Sequence, residues 1–131
     1  MKRYELLAVA LVAATGTATA DQAAGFSEIV EDVSSLYTPV SQNGRDPLVW
    51  HTGTEKFKGD CDDYATALIS RLEAAGLPYQ AYIVTAREGR HKVQHVVVCS
   101  EGQCSDSIKT SPHPVGEAFY GEWRPARLVR S

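Results

Sequence analysis

Apolar residues recur every three or four positions in two stretches of the chain, a spacing typical of amphipathic helices. The first helix is predicted over residues 26–37, and Pro39 ends it. The second helix begins after Asp60, a natural N-cap residue, and Gly76 with Pro78 ends it. Its apolar stripe consists of Tyr64, Ala65, Leu68, Ile69 and Leu72.

The pattern changes after the second helix to short segments typical of strands. We expect three strands over residues 79–86, 93–99 and 104–110. A short helix over 115–120 and an edge strand over 126–129 should follow them. Arg87 to Arg90 forms a turn, and residues 38–59 form a long loop of the kind that usually carries function. Helices followed by an antiparallel sheet predict an α+β domain.

The first twenty residues follow another pattern, that of a secretory signal peptide. Lys2 and Arg3 precede an apolar run at 6–14, and an Ala-x-Ala cleavage signal stands at 18–20. We therefore expect residues 1–20 to be removed and residues 21–131 to form a single exported domain, periplasmic or secreted, without a membrane span. A net charge of −3 gives no reason to expect nucleic acid as a partner.

The three cysteines change the picture because an exported chain meets an oxidising compartment. Cys99 and Cys104 flank a four-residue loop containing Gly102, so a β-hairpin would place them opposite each other. Such a pair falls within disulfide distance, and we predict a bridge. Cys61 is then the odd thiol.

Cys61 lies in the first turn of the second helix, where unpaired N–H groups and the helix dipole favour a thiolate. A nucleophilic cysteine needs a base, and His95 opens a strongly β segment. Pairing Cys99 with Cys104 places Val97 opposite Asp106, so Asp106 and His95 become diagonal neighbours on one face. We predict Cys61 as nucleophile, His95 as base and Asp106 as orienting group. The oxyanion donors would be the Cys61 backbone N–H and the Trp50 indole.

Two other interpretations of these residues stay open. Each residue alone is common in a structural role, Cys61 as a small buried apolar group and His95 with Asp106 as a paired polar contact. A zinc site of Cys61, His91 and His95 is disfavoured, because histidines four residues apart do not converge along a strand as they do on a helix.

The segment GDCDDYA (59–65), with Trp50, Phe57, Gly76, His95 and Asp106, resembles the bacterial transglutaminase-like cysteine peptidases over residues 48–110. The resemblance implies a papain-like or transglutaminase-like core, in which the cysteine-bearing helix packs on a small antiparallel sheet. It also implies a catalytic Cys61, His95 and Asp106, and a calcium ion at Asp60 and Asp62.

The predicted function is an exported thiol hydrolase, a cysteine peptidase that acts as a monomer on a protein or peptide through an acyl-enzyme on Cys61. The chemistry requires no cofactor, and calcium is the one ion that the resemblance suggests. Two alternatives remain: acyl transfer from glutamine to an amine by the same triad, and a non-catalytic periplasmic binding module with the same fold.

Overall fold

The computed structural model describes residues 4–6 (as backbone), 25–40, 49–52 and 54–128. The predicted cleavage signal at 18–20, residues 41–48 and 53 of the predicted loop at 38–59, and Val129 lie outside these residues. The described part contains two helices and eight strands. The predicted α+β class is confirmed at this level.

The two helices form where the periodicity predicts them. Helix α1 spans Phe26–Leu36, and its buried residues are Phe26, Ile29, Val30 and Val33. Helix α2 spans Cys61–Ala74 with Asp60 as its N-cap. The predicted stripe of α2 is buried throughout, which is why this helix could be located from sequence alone.

Six strands form one antiparallel sheet in the order β1-β8-β4-β5-β6-β7. Their bounds are Tyr4–Leu6 (β1), Gln80–Glu88 (β4), His91–Ser100 (β5), Gln103–Ser105 (β6), His113–Pro114 (β7) and Gly121–Leu128 (β8). Two further strands, Tyr37–Pro39 (β2) and Phe57–Gly59 (β3), pair in parallel beside the start of α2. Sequence analysis did not predict this small parallel ladder.

The sheet separates two apolar clusters, one on each face. The helices cover the first face, where Val96 and Val98 of β5 join the buried residues of α1 and α2. Val97 and Cys99, the alternate residues of β5, pack with Cys104 and Tyr120 in the smaller cluster. Because successive strand residues point to opposite faces, His95 belongs with Val97 and Cys99.

Several predicted boundaries after β5 are wrong, for local reasons. The β5–β6 loop has two residues, Glu101 and Gly102, both with positive φ, where a four-residue loop was expected. The strand predicted to reach residue 110 ends at Ser105, because the Asp106 carboxylate accepts the backbone N–H groups of Ile108 and Lys109. No helix forms at 115–120, where Gly116 has φ of 81° and turns replace it.

Strand β8 also differs from the prediction. It begins at Gly121, five residues before the predicted edge strand, and lies between β4 and β1 rather than at an edge. Its partner β1 lies within the predicted signal peptide, with Tyr4 opposite Leu128. Removal of residues 1–20 stays a prediction. None of the helices in the described ranges is long and apolar enough to cross a membrane.

Candidate active site

The site begins at the N-terminus of α2, where a capping box sets the direction of the first turn. The Asp60 carboxylate accepts the Asp62 N–H at 3.0 Å, and Asp63 accepts the Asp60 N–H at 3.0 Å. A Cβ on Gly59 would overlap the Asp63 side chain, so only glycine leaves room for this closure. The acidic residues around the thiol therefore serve the helix start.

Cys61 is the first residue of α2 and the one free cysteine of the three. Its side chain is 4% exposed, and its Sγ lies 3.5 Å from Asp62 Oδ1. The Cys61 side chain also lies near enough to His95 to act on the pKa of its ring. The predicted nucleophile and base are thus brought within reach of each other.

His95 is 2% exposed and lies between two acidic partners. Its Nε2 donates to Asp106 Oδ1 at 2.9 Å, which leaves Nδ1 for the Cys61 sulfur. Burial alone would lower the pKa of His95. The hydrogen bonds to Asp106 and Cys61, together with the negative charge of both groups, outweigh burial and raise the pKa to about 9. At neutral pH the imidazole of His95 is therefore protonated.

Asp106 is almost fully buried and accepts hydrogen bonds from five donors. Its Oδ1 accepts from His95, Ile108 N at 2.8 Å, Lys109 N at 2.9 Å and the Tyr120 hydroxyl at 2.7 Å. Its Oδ2 accepts from His113 Nε2 at 2.9 Å. One carboxylate thus holds both the base and the loop that follows β6.

These donors determine the charge of Asp106. Burial would raise the pKa of its carboxyl group, yet the hydrogen bond and charge of His95, with the Lys109 N–H and the Tyr120 hydroxyl, lower it. Burial raises the pKa of Tyr120, and the negative charge of Asp106 raises it further, so Tyr120 remains a donor. Asp106 is therefore ionised across the neutral range.

The strand register from which the His95–Asp106 contact was predicted is only partly confirmed. Cys99 pairs with Cys104 and Val98 with Ser105, as predicted. The expected pairs beyond Ser105 do not form, because β6 ends there. Asp106 instead contacts His95 from the first position after β6. The predicted contact therefore forms, although β6 is shorter than predicted.

The predicted disulfide joins Cys99 to Cys104, with Cα atoms 3.9 Å apart. It holds β6 against β5 two residues before Asp106. Cys104 also pairs with His113 of β7. The bridged strand β6 therefore lies beside a histidine that contacts the Asp106 carboxylate.

A second set of contacts fastens the Trp50 segment to α2. Thr66 Oγ1 donates to the Val49 carbonyl at 2.7 Å and accepts from His51 N at 3.3 Å, and His51 Nε2 lies 2.8 Å from Asp63 Oδ1. Trp50 packs against the main core, and its indole nitrogen is shielded from solvent. Its role as an oxyanion donor stays a prediction.

The residues suggested for calcium make a small donor set. The side-chain ligand atoms of Asp60, Cys61 and Asp62 lie within 4.8 Å of one another. Asp60 Oδ1 is already the helix cap, and the Asp63 carboxylate is occupied by His51 and Asp60 N. Ca²⁺ takes six to eight oxygen ligands, so this set fits it poorly. Calcium binding stays a prediction.

The zinc alternative receives no geometric support. His91 and His95 are four residues apart on β5, which at about 3.3 Å per residue separates them by about 13 Å. Among the described residues, the one cluster of three or more groups with metal-ligand spacing is Asp60, Cys61 and Asp62.

Comparison with known proteins leaves the class open, because no protein-family model, no curated protein and no solved structure matches the chain. The resemblance to transglutaminase-like peptidases therefore rests on the residues around Cys61, His95 and Asp106. The structure shows a cysteine-bearing helix packed on an antiparallel sheet, and the resemblance itself stays a prediction.

The other members of the site were not predicted from the sequence. His113 and Tyr120, which donate to Asp106, lie seven and fourteen residues after it in a stretch with no periodicity. Their polar side chains were the one feature in the sequence that could have indicated a role in the site. Tyr64 hydrogen-bonds Ser105 at 2.6 Å and so joins α2 to the residue before Asp106. Tyr64 was predicted as part of the apolar stripe, and its burial in the main core confirms this. Its hydroxyl group makes the additional contact with Ser105.

Proposed function

We propose that this protein is a thiol hydrolase, most simply a cysteine peptidase, that forms an acyl-enzyme on Cys61. The observation that carries the proposal is the arrangement of the three side chains: Cys61 acts on the His95 ring, and His95 hydrogen-bonds Asp106 at 2.9 Å. Nucleophile, base and orienter in mutual hydrogen-bond contact are the recurring elements of acyl-transfer sites on unrelated folds.

The proposed reaction follows from where the proton resides. His95 holds the proton of the Cys61 thiol, so the thiolate attacks a peptide carbonyl and forms a tetrahedral intermediate. The Cys61 N–H, in the first turn of α2 where helix N–H groups lack helical partners, stabilises the oxyanion. His95 then gives its proton to the leaving amine. Water, deprotonated by His95, attacks the thioester, and collapse releases the acid and the thiol.

The finer fold assignment, a papain-like or transglutaminase-like core, is part of the same proposal. Its support is the position of Cys61 at the start of α2 and of His95 on the neighbouring β5. The Cys99–Cys104 disulfide is consistent with the predicted export, since such bridges persist in oxidising compartments.

The first experiment uses the single free thiol. At pH 6–7 we expect iodoacetamide to modify Cys61 in the wild type and to modify it far more slowly in His95→Gln. A pool of mixed-sequence peptides, with products read by mass spectrometry, reports hydrolysis. Cys61→Ser and Cys61→Ala should abolish it and keep the circular dichroism spectrum. Hydrolysis that persists in the folded Cys61→Ala variant would exclude the proposed nucleophile.

Acyl transfer is separated from hydrolysis in the same assay. Adding a primary amine to the peptide pool yields amide-linked adducts at glutamine if the acyl-enzyme prefers an amine to water. The acceptor alone distinguishes the two reactions, because both use the same thiolate and base.

One observation favours the binding-module alternative. Cys61 and His95 are 4% and 2% exposed among the described residues, which limits access to the sulfur. If Cys61 resists iodoacetamide at neutral pH while an ordinary exposed thiol reacts, and no peptide is cleaved, the fold serves binding and the catalytic proposal fails.

A further inference from the structure

We infer that His113 is a positioning residue of this site, which orients the Asp106 carboxylate so that its Oδ1 faces His95. The inference rests on the proposed function, because it assigns a role within the same thiolate-activating network. No part of the predicted triad requires a second histidine on Asp106.

The two oxygens of Asp106 differ sharply in their partners. Four donors meet at Oδ1, two of them backbone N–H groups of the residues that follow. Among the described residues, His113 is the one donor to Oδ2. Rotation about the Cβ–Cγ bond moves both oxygens together, so a donor on Oδ2 opposes the same rotation that the donors on Oδ1 oppose. His113 therefore helps to hold the plane of the group to which His95 is bound, from the side that no other described donor reaches.

His113 is itself rigidly placed. Its backbone pairs with Cys104, whose side chain is bonded to Cys99, and its ring contacts those of Phe119 and Tyr120. The side chain is 6% exposed. A buried ring on a strand anchored by a disulfide is a stable reference for orienting a carboxylate.

The second nitrogen of His113 shows that it is not another base. Its Nδ1 is buried and has no hydrogen-bond partner among the described residues, whereas the ring of His95 interacts with Cys61 as well as with Asp106. Nε2 must carry a hydrogen because it faces a carboxylate oxygen. A hydrogen on Nδ1 would be a buried donor without a partner among the described residues, so Nε2 is the atom through which His113 acts.

Two variants of matched chemistry test the inference. His113→Gln keeps an N–H that reaches Oδ2, whereas His113→Asn carries the same amide on a side chain one methylene shorter. The control is His91→Gln, an exposed histidine on the same sheet. The readouts are the NMR signal of the His95 ring N–H proton, assigned by its loss in His95→Gln, and the rate at which iodoacetamide modifies Cys61 at pH 7. Neither readout needs a substrate.

We expect the His95 proton signal and the alkylation rate of His113→Gln and His91→Gln to match the wild type. In His113→Asn the signal should broaden through exchange with water and the rate should fall about tenfold, well short of the ~10⁴-fold loss that follows a disturbed orienting aspartate in a triad. Should His113→Asn fail to fold, His113→Met fills the space without a donor and takes its place.

A folded donor-free variant with an unchanged His95 signal and an unchanged rate would overturn the inference, whatever the peptide assay shows. If both readouts fall but the wild type cleaves no peptide, the proposed hydrolase fails and His113 remains the positioning residue of an activated thiol.

Discussion

The histidine–aspartate pair at the start of α2 and the pair between β5 and the end of β6 are almost identical in distance. His51 Nε2 is 2.8 Å from Asp63 Oδ1, and His95 Nε2 is 2.9 Å from Asp106 Oδ1. The first pair is about a quarter exposed, whereas the side chains of the second are 2% and 0% exposed. Distance alone would give both pairs the same role.

The pairs differ in what their other atoms contact. The ring of His51 stacks on Phe57, and Asp63 belongs to the capping box, so the first pair fastens a loop to a helix. His95 interacts with the Cys61 thiol. Asp106 accepts hydrogen bonds from four donors besides His95. Only burial together with a nucleophile on the second nitrogen turns a polar contact into a candidate for chemistry.

The largest expected effect separates the two histidines by activity. His95→Gln should lower both alkylation of Cys61 at pH 7 and any peptide hydrolysis by about 10²–10⁴-fold, because the base is lost. His51→Gln, the matched substitution, should leave both rates close to those of the wild type. Equal losses in the two variants would contradict the distinction between the pairs.

The next effect concerns stability against pH. The folded-state pKa of His95 is about 9, above its ordinary value of 6.5. Its contribution to the free energy of unfolding is therefore fully present below pH 6.5 and is lost as pH rises through about 9. The loss amounts to at most roughly 3 kcal/mol.

Urea unfolding of the wild type, His95→Gln and His51→Gln at pH 6, 7.5 and 9.5 measures this decline. We expect it in the wild type and in His51→Gln, and not in His95→Gln. A flat wild-type profile over this range would show that His95 carries no stabilising charge.

The smallest effect belongs to the first pair. Asp63→Ala removes the acceptor of the Asp60 N–H and the partner of His51, and should lower the free energy of unfolding by about 1–2 kcal/mol. Because Asp63 contacts neither Cys61 nor His95 in any described hydrogen bond, the alkylation rate of the folded variant should stay near that of the wild type. A large loss of rate with unchanged stability would place Asp63 in the chemistry instead.

The elements that could be predicted share one property, which is that local pattern determines them. The stripe of α2, its Asp60 cap and the pairing of Cys99 with Cys104 all follow from spacing within a short window. Non-local features escaped. Asp106 ends β6 by capturing loop N–H groups, and the sequence could not show that His113 and Tyr120 would converge on it from residues without periodicity.

The candidate site shows the same division. Cys61, His95 and Asp106 were identified because their residue types suggest chemistry and a strand register could be guessed. His51 and His113 carry the same side chain as His95, but nothing near them in sequence indicated a partner. Burial and the second contact of each ring decide among the histidines, and both depend on the tertiary fold.

The segment GDCDDYA has a consequence for anyone who searches other genomes with it. Gly59, Asp60 and Asp63 close the start of a helix, and Tyr64 anchors that helix to Ser105. Four of the seven letters thus encode a scaffold that can persist after the thiol is replaced. A sequence that matches this signature inherits a way of beginning a helix. Only a cysteine at its third letter, with a buried histidine and aspartate far downstream, makes that inheritance informative about catalysis.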